Sequence, residues 1–187
     1  MHNLEPHFRW RLEYQAENDE LSPFFGRVYS EFEFSTKIYN YFIHPQWDDI
    51  GSETLYAKIL YAHYPNQYAI IELIGEWNDC IQNDVMILKD AIANPLLANG
   101  ISKFIFIGEN VLNFHGEDDC YYEEWYEDVV DEEGWICFVG FSEHVEQEMR
   151  EYGIGNYVHL GDRYFLNWRP LKPEIFFEEI QRRIESA

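Results

Sequence analysis

The hydrophobic pattern from about residue 53 onward predicts strands and helices in turn. Residues 54–64 and 67–76 have the pattern of two strands joined by a tight turn at Pro65-Asn66. Asp79 then has the position of a helix N-cap, with Gln82 three residues later as in a capping box. Along that helix, the spacing of one buried face predicts five inward side chains: Ile81, Val85, Leu88, Ile92 and Leu96.

Two continuous apolar runs, 104–107 and 135–141, are typical of strands buried on both faces, as parallel strands are. A helical pattern over 117–132 separates them. We therefore expect the two runs to be adjacent parallel strands of one sheet, joined by this helix in a right-handed crossover. The pattern further predicts a helix after Ser142, short strands near 157–160 and 164–166, and a last helix that starts at Pro173. The fold class that follows is α/β, with helices packed on a mainly parallel or mixed sheet.

The first fifty residues differ, because aromatic residues are dense there and several alternate with polar ones. Phe8, Trp10 and Leu12 alternate in this way, and so do Phe32 and Phe34. This period of two is typical of half-buried strands, so we expect an N-terminal antiparallel β extension. We expect a single domain over 1–187, in which residues 1–50 are the extension and 51–187 the core. Core packing explains the aromatic series; the alternative is an aromatic ligand groove or interaction face.

Composition narrows the classes of partner. The chain of 187 residues has 35 acidic against 13 basic side chains, a net charge of −22. Such a charge repels phosphate backbones and anionic lipid, so we expect neither nucleic-acid nor membrane binding. There is no 18-residue apolar run, and the start lacks the pattern of a signal peptide. Three widely spaced cysteines without a CxxC pair suit reduced thiols, so we expect a cytoplasmic protein.

The stretch from about 54 to 186 resembles a STAS domain, the fold of anti-sigma-factor antagonists and of sulfate-transporter tails. Three segments carry the resemblance: IELIGEW at 71–77, ISKFIFIGENVLNF at 101–114 and WICFVGFSEHVEQEMREYGIGNYV at 135–158. In the antagonists, a Ser near the start of the second helix accepts a phosphate and thereby breaks binding to a kinase partner. The resemblance implies a regulatory protein that works by binding another protein.

The chain departs from that family at the phosphorylation site. Where the family has its Ser, this sequence has acidic residues, and no Ser or Thr occurs from Lys103 through Phe141. A hydroxyl phospho-switch is therefore not expected there. Glu117 occupies the region of the missing Ser and would mimic a permanent negative charge. The alternative is that Glu117 is simply favourable in the first turn of a helix.

Acidic side chains crowd residues 117–133. On a helix they form two adjacent rows at i, i+4, and like charges at that spacing oppose helix formation. The pattern has three interpretations: a solvated acidic face, a docking surface for a basic partner, or a calcium or magnesium site at Glu117, Asp118 and Asp119. The D-x-D-x-D-G spacing of a calcium loop is absent. The two rows are Glu123–Glu127–Asp131 and Glu124–Asp128–Glu132.

A small pocket is the other candidate for chemistry. Gly108, Glu109 and Asn110 follow the central strand, where α/β proteins commonly bind ligands. Asn110, Asn113 and His115 would be its polar groups, although an ordinary strand-exit loop is the simpler explanation of them. HExxH, GxSxG, GxxxxGK[ST] and GxGxxG are all missing.

These observations predict a non-catalytic protein that binds a basic protein partner through the acidic helix. We expect no catalytic residue, no metal and no cofactor. One alternative is a small enzyme or a metabolite- or metal-binding protein with its pocket near residues 108–120. The other alternative is self-association, with the aromatic N-terminal segment as the contact surface between copies.

Overall fold

A computed structural model describes residues 4–186 of the chain. Five strands form one mixed sheet in the order β3-β4-β5-β6-β7. The pairs β3–β4 and β4–β5 are antiparallel, whereas β5–β6 and β6–β7 are parallel. The predicted α/β class and the small antiparallel N-terminal sheet are thus confirmed. The strands are β1 Lys37–Ile38, β2 Tyr41–Phe42, β3 Asp48–Asp49, β4 Leu55–His63, β5 Tyr68–Asn78, β6 Lys103–His115 and β7 Trp135–Val139.

The hairpin of β4 and β5 forms where the pattern predicts it, around a short 3-10 turn over Tyr64–Asn66. Gln67 closes that turn in the left-handed conformation, at φ 60°. At the other end of the hairpin, Gly75 has φ +119° and lies against the backbone of Thr54, the residue before β4. A Cβ atom on Gly75 would lie 1.9 Å from the carbonyl oxygen of Thr54, so only glycine fits there.

The helix predicted after β5 is interrupted. Asn78 is its N-cap and accepts a hydrogen bond from the Ile81 N–H, so Asp79 is the first helical residue instead of the cap. Asn83 is left-handed, at φ 57°, and the break turns Ile81 outward to 80% exposure. The other four predicted inward residues are buried, because the chain after the break is helical again. The helices are α1 Asp79–Gln82, α2 Asp84–Leu88, a π turn over Lys89–Ala93, α3 Asn94–Ala98, α4 Cys120–Val130, α5 Glu143–Glu151 and α6 Pro173–Glu185.

The two buried apolar runs are adjacent parallel strands, with Phe104 opposite Ile136 and Phe106 opposite Phe138, and α4 crosses between them. This prediction is confirmed. The first run is much longer than predicted, because β6 continues to His115. Two irregularities in its pairing with β5 each add one residue to β6 and break the alternation of side chains from which a strand is predicted.

The N-terminal region has fewer strands than its alternation predicts. Trp10 lies in a 3-10 turn over Arg9–Leu12, and the stretch around Phe32 and Phe34 is irregular. The prediction of strands there is wrong, because the turn buries Trp10 against Trp168 without a partner strand. Among residues 4–50, β1 and β2 pair with each other, and β3 pairs with β4 of the core. Near residues 157–166, one isolated bridge between Cys137 and His159 and a 3-10 turn replace the two predicted short strands.

The sheet is covered on both faces. On the first face, α1 to α5 bury an apolar cluster that includes Trp77, Leu88 and Trp125. On the second face, α6 and the N-terminal segment bury Trp10, Trp168, Phe176 and their neighbours. Within residues 4–186, no helix has the length and apolar character needed to cross a membrane.

Candidate functional site

The polar residues predicted to form a pocket after the central strand lie within β6 itself. The prediction of a strand-exit loop at 108–115 is therefore wrong. Asn110 is half-buried, and its Nδ2 has no hydrogen-bond partner within residues 4–186. Asn113 Nδ2 donates to Glu76 Oε1 at 3.2 Å, and His115 is exposed at the end of the strand. Five of the cavities in the described part of the chain are lined by residues outside 108–120.

The three acidic residues before α4 do not converge on one point. Glu117 and Asp118 are exposed, and Asp119 is partly buried. Asp118 Oδ1 accepts a hydrogen bond from the Cys120 N–H at 3.1 Å, and hydrogen bonds from Cys120 lower the pKa of Asp118. The same pairing raises the pKa of the Cys120 thiol. Within residues 4–186, no group of three His, Cys, Asp or Glu side chains is arranged to hold a metal ion.

Helix α4 is fixed to the rest of the molecule by its buried side. Tyr122, Trp125 and Val129 are buried, and they form one stripe at helical spacing. The Tyr122 hydroxyl donates to Asp79 Oδ2 at 2.7 Å, and this joins α4 to the first turn after β5. Burial raises the pKa of Asp79 to about 6, although hydrogen bonds from Tyr122 and Trp77 act in the opposite direction.

One of the two acidic rows on α4 has a cationic partner. The Lys89 ammonium is buried between α2 and α4, where it pairs with Glu124 and lies 2.9 Å from Asp128 Oδ2. Burial by itself lowers the pKa of Lys89, but the hydrogen bonds to these two carboxylates outweigh it and raise that pKa. This row is therefore part of the packing of α4.

The other row is free. Glu123, Glu127 and Asp131 are exposed, and no salt bridge joins them to a basic residue in the part of the chain that the structure describes. We call these three residues the acidic face. Tyr126 and Val130 border the row on the side away from Lys89, and both are exposed as well. Tyr157 packs beside Tyr126 with the two rings tilted and their centroids 6.1 Å apart, and so widens the apolar border.

A second charged region, which the sequence did not predict, crosses the covered second face of the sheet. Asp48 on β3, Lys58 on β4, Glu72 on β5 and Glu109 on β6 stand at neighbouring positions on four successive strands. We call these four residues the charged row. Lys58 lies directly opposite Glu72 in the antiparallel pair. Asp48, Lys58 and Glu72 are buried, which is rare for charged side chains unless they are paired.

One end of the charged row is neutralised by residues of the N-terminal region. Asp48 Oδ1 accepts hydrogen bonds from Arg27 at 2.9 Å and from the Tyr29 hydroxyl at 2.6 Å. Lys58 Nζ lies 3.5 Å from Asp48 Oδ2 and 3.6 Å from the centre of the Tyr29 ring. Burial raises the pKa of Asp48 and lowers that of Lys58, and their mutual attraction opposes both shifts.

The other end is held by Arg169. Its guanidinium lies 3.3 Å from Glu72 Oε1 and 2.6 Å from Glu109 Oε2. The His7 backbone N–H also donates to Glu72 Oε2 at 2.7 Å, and Trp168 Nε1 donates to Glu109 at 2.8 Å. Burial raises the pKa of Glu72 to about 7, although the His7 and Arg169 hydrogen bonds favour its charged form.

A signal for this row is present in the sequence. Lys58 interrupts the apolar run 54–64, and Glu72 interrupts the run 67–76. A hairpin centred on Pro65-Asn66 brings these two positions side by side, so their opposite charges predict a cross-strand pair. The partners of the row, from Arg27 to Arg169, are distant in sequence and carry no such signal.

Comparison with known proteins gives a likeness of fold alone. No protein-family model matches the chain, and no curated protein matches it either. Among solved structures, a crystal structure described as a "putative anti-sigma factor antagonist" from Thermotoga maritima is 13% identical, covers 60% of this chain and 88% of its own, and has a TM-score of 0.43. An NMR structure described as the protein TM1081 is 14% identical, with coverages of 65% and 91% and a TM-score of 0.39.

Proposed function

We propose that this protein is a non-catalytic interaction protein that binds a basic protein partner through the acidic face. The observation that supports this most is the contrast between the two rows on α4. Lys89 neutralises Glu124 and Asp128, whereas the acidic face has no intramolecular cation among the described residues. Three carboxylates that repel each other along one row are stabilised when a partner supplies the opposite charge.

The border of the acidic face supplies a second contribution to binding. Tyr126 and Val130 expose apolar surface within one helical turn of the carboxylates. Interfaces typically combine an apolar or aromatic anchor with a charged rim, and the anchor provides most of the affinity. The partner that fits has Lys or Arg residues around an apolar patch.

Regulation by a Ser or Thr phosphate within this surface is not part of the proposal. No Ser or Thr lies between Lys103 and Phe141, so the negative charge of the acidic face is permanent. Binding is then governed by ionic strength and by the concentration of the partner. The overall charge of −22 further accelerates the approach of a basic protein at low salt.

The test is affinity capture with the full chain as bait, at low and at high salt, followed by mass spectrometry. The bait carrying E123K, E127K and D131K should lose the basic proteins that the parent chain captures. A matched control reverses three exposed acids elsewhere, E20K, E143K and E178K, and changes the net charge by the same amount. It should keep those proteins.

Two results would contradict the proposal. If both triple variants lose the same proteins, capture depends on net charge and not on the acidic face. If the acidic-face variant retains every protein that the parent captures, the acidic face is a solvated surface. Replacing Tyr126 by Ser alone should weaken capture in high salt, where charge contributes least.

A second candidate, self-association, is favoured by the exposed apolar residues of the N-terminal region. Leu12, Val28 and Phe32 are 98%, 94% and 86% exposed, and Phe8, Phe25 and Tyr39 are more than half exposed. Large apolar patches on a surface commonly mark contacts with another protein. Light scattering should then show a dimer or larger species for the parent chain and a monomer for the combined variant L12S, V28S and F32S. A monomeric parent chain at the highest soluble concentration would rule this candidate out.

A further inference from the structure

A small cavity lies beneath the N-terminal segment, between that segment and the middle of β4. It is bounded by Lys58 and the two residues after it on one side, and by His7, Arg11 and Glu17 on the other. Tyr14, which packs against Tyr61 of β4, forms part of the wall. The cavity therefore adjoins the charged row at Lys58, and it is independent of the acidic face.

Four residues that line this cavity each have a buried polar side-chain atom without a hydrogen-bond partner among residues 4–186. These atoms are Lys58 Nζ, Arg11 Nη2, Glu17 Oε2 and His7 Nε2. The His7 and Lys58 side chains are more than nine-tenths buried. Leaving a buried donor or acceptor without a partner costs roughly 1–3 kcal/mol for each group, and more for a charged one. Four such atoms around one cavity indicate that a bound group in the cavity supplies their missing hydrogen bonds.

The distances leave a gap that a bridging group would fill. Lys58 Nζ lies 4.0 Å from Glu17 Oε2, which is too far for a direct hydrogen bond. On its other side, Lys58 Nζ lies 3.5 Å from Asp48 Oδ2, which is also without a partner. Polar groups separated by such distances are commonly bridged by an ordered water.

The chemistry and the size of the cavity both define the occupant. Lys58 and Arg11 can only donate hydrogen bonds, and Glu17 only accepts them when ionised. The imidazole of His7 is neutral at pH 7, because burial and the nearby Arg169 lower its pKa to about 4, so its Nε2 accepts in one tautomer. The cavity offers about 10 Å³ to the centre of a water-sized sphere, which is the space of one molecule.

We propose that this cavity is an internal hydration site that binds a single water, which accepts from Lys58 and Arg11 and donates to Glu17 and His7. A water molecule has two acceptor and two donor positions, and so matches the four atoms one to one. Because three of the four ligands belong to the N-terminal segment and one belongs to β4, the water joins the segment to the sheet. Movement of the segment away from β4 would separate these ligands and release the water.

The experiment measures long-lived internal waters by magnetic relaxation dispersion of the water oxygen-17 signal. The variant K58M replaces the ammonium by an apolar group that reaches into the cavity, and should have one long-lived water fewer than the parent chain. The matched control K103M changes an unpaired lysine on β6, away from the cavity, and should retain the count of the parent. A crystal structure of the parent chain should show one water within hydrogen-bond distance of at least three of the four atoms.

Three outcomes would overturn the proposal. One is an equal count of long-lived waters in the parent chain and in K58M. Another is a crystal structure in which Lys58 and Glu17 pair directly and close the cavity. The third is an ion in place of the water, recognised by its density and coordination distances. If K58M fails to fold, R11M removes a different donor of the same site, and the same loss of one water is expected.

Discussion

The acidic face of α4 and the charged row under the N-terminal segment both contain carboxylates, but in opposite surroundings. On α4, carboxylates stand in water, where their mutual repulsion costs only tenths of a kcal/mol per pair. In the charged row, Asp48, Lys58 and Glu72 are out of water, where an unpaired charge costs several kcal/mol. The residues of the charged row therefore stabilise the fold through their partners, whereas the acidic face remains available for binding.

The largest effect is expected when the cover of the buried row is removed. A chain that starts at residue 51 lacks Asp48, Arg27 and the buried Trp10, and exposes the second face of the sheet to water. Burial of one large apolar side chain contributes about 1.5–3 kcal/mol, and several are lost at once. We expect the shortened chain to lose cooperative thermal unfolding, measured by circular dichroism and calorimetry. Cooperative melting at an unchanged temperature would show that the segment is an appendage.

A single substitution in each region makes the comparison direct. D48A leaves Lys58 buried without its closest carboxylate, and breaking a buried pair in this way costs roughly 3–5 kcal/mol. D131A removes an exposed carboxylate without a partner among the described residues, and should change the free energy of unfolding by less than about 0.5 kcal/mol. Urea denaturation of the two variants measures both values. Equal losses would mean that the acidic face is structural.

The pH dependence of stability distinguishes the regions through Glu72. Its pKa is raised from an ordinary 4.5 to about 7, so the folded state holds a proton that the unfolded chain releases. The contribution of Glu72 to the free energy of unfolding should therefore fall as pH rises from about 4.5 to about 7 and be constant above that range. E72Q cannot titrate at this position, so its free energy of unfolding should fall less over this range, and the rest of the fall comes from other carboxyls with raised pKa values, such as Asp79.

Other ionisable groups surround Glu72, so its effect is read from the difference between the stability of the parent chain and the stability of E72Q at each pH. Arg169 stays charged across this range, and Glu109 and the opposite Lys58 remain in both chains. His7 has a lowered pKa and acts in the opposite direction as pH falls below about 6.5. The difference between the parent chain and E72Q at each pH isolates Glu72. A constant difference from pH 4.5 to 7.5 would show that the carboxyl is ionised throughout.

The sequence predicts the elements whose signals are local. The β4–β5 hairpin, the parallel neighbours β6 and β7, and the buried stripe of α4 all follow from short-range patterns. Asn83 and the two irregularities of β6 are single-residue departures that reset such a pattern, so the break after Ile81 and the extension to His115 were missed. The roles of the charges were missed for a different reason.

Which carboxylate is free and which is paired depends on contacts between distant parts of the chain. Glu123 and Glu124 are neighbours in sequence with the same charge, yet only Glu124 meets Lys89, 35 residues away. Arg169 is likewise 97 residues from Glu72. Periodicity predicts which side of a helix faces the core, but it does not predict which basic residue from elsewhere in the chain packs against that helix.

The smallest effect concerns the two rows of α4 and compares them residue by residue. E127K places a cation between Glu123 and Asp131, so two repulsive i, i+4 pairs become attractive. Each pair contributes about 0.2–0.5 kcal/mol, and a cation is also favoured near the end of the helix, so E127K should unfold at slightly higher urea concentration than the parent chain. E124K puts the same charge beside the buried Lys89 and should unfold at a lower urea concentration than the parent chain.

Salt separates the two variants further. In 1 M salt the gain in stability of E127K should vanish, whereas the loss of stability of E124K should persist, because the side chain of Lys89 is shielded from solvent. Equal responses of the two variants to salt would mean that both rows are equally exposed, and that Lys89 does not set them apart.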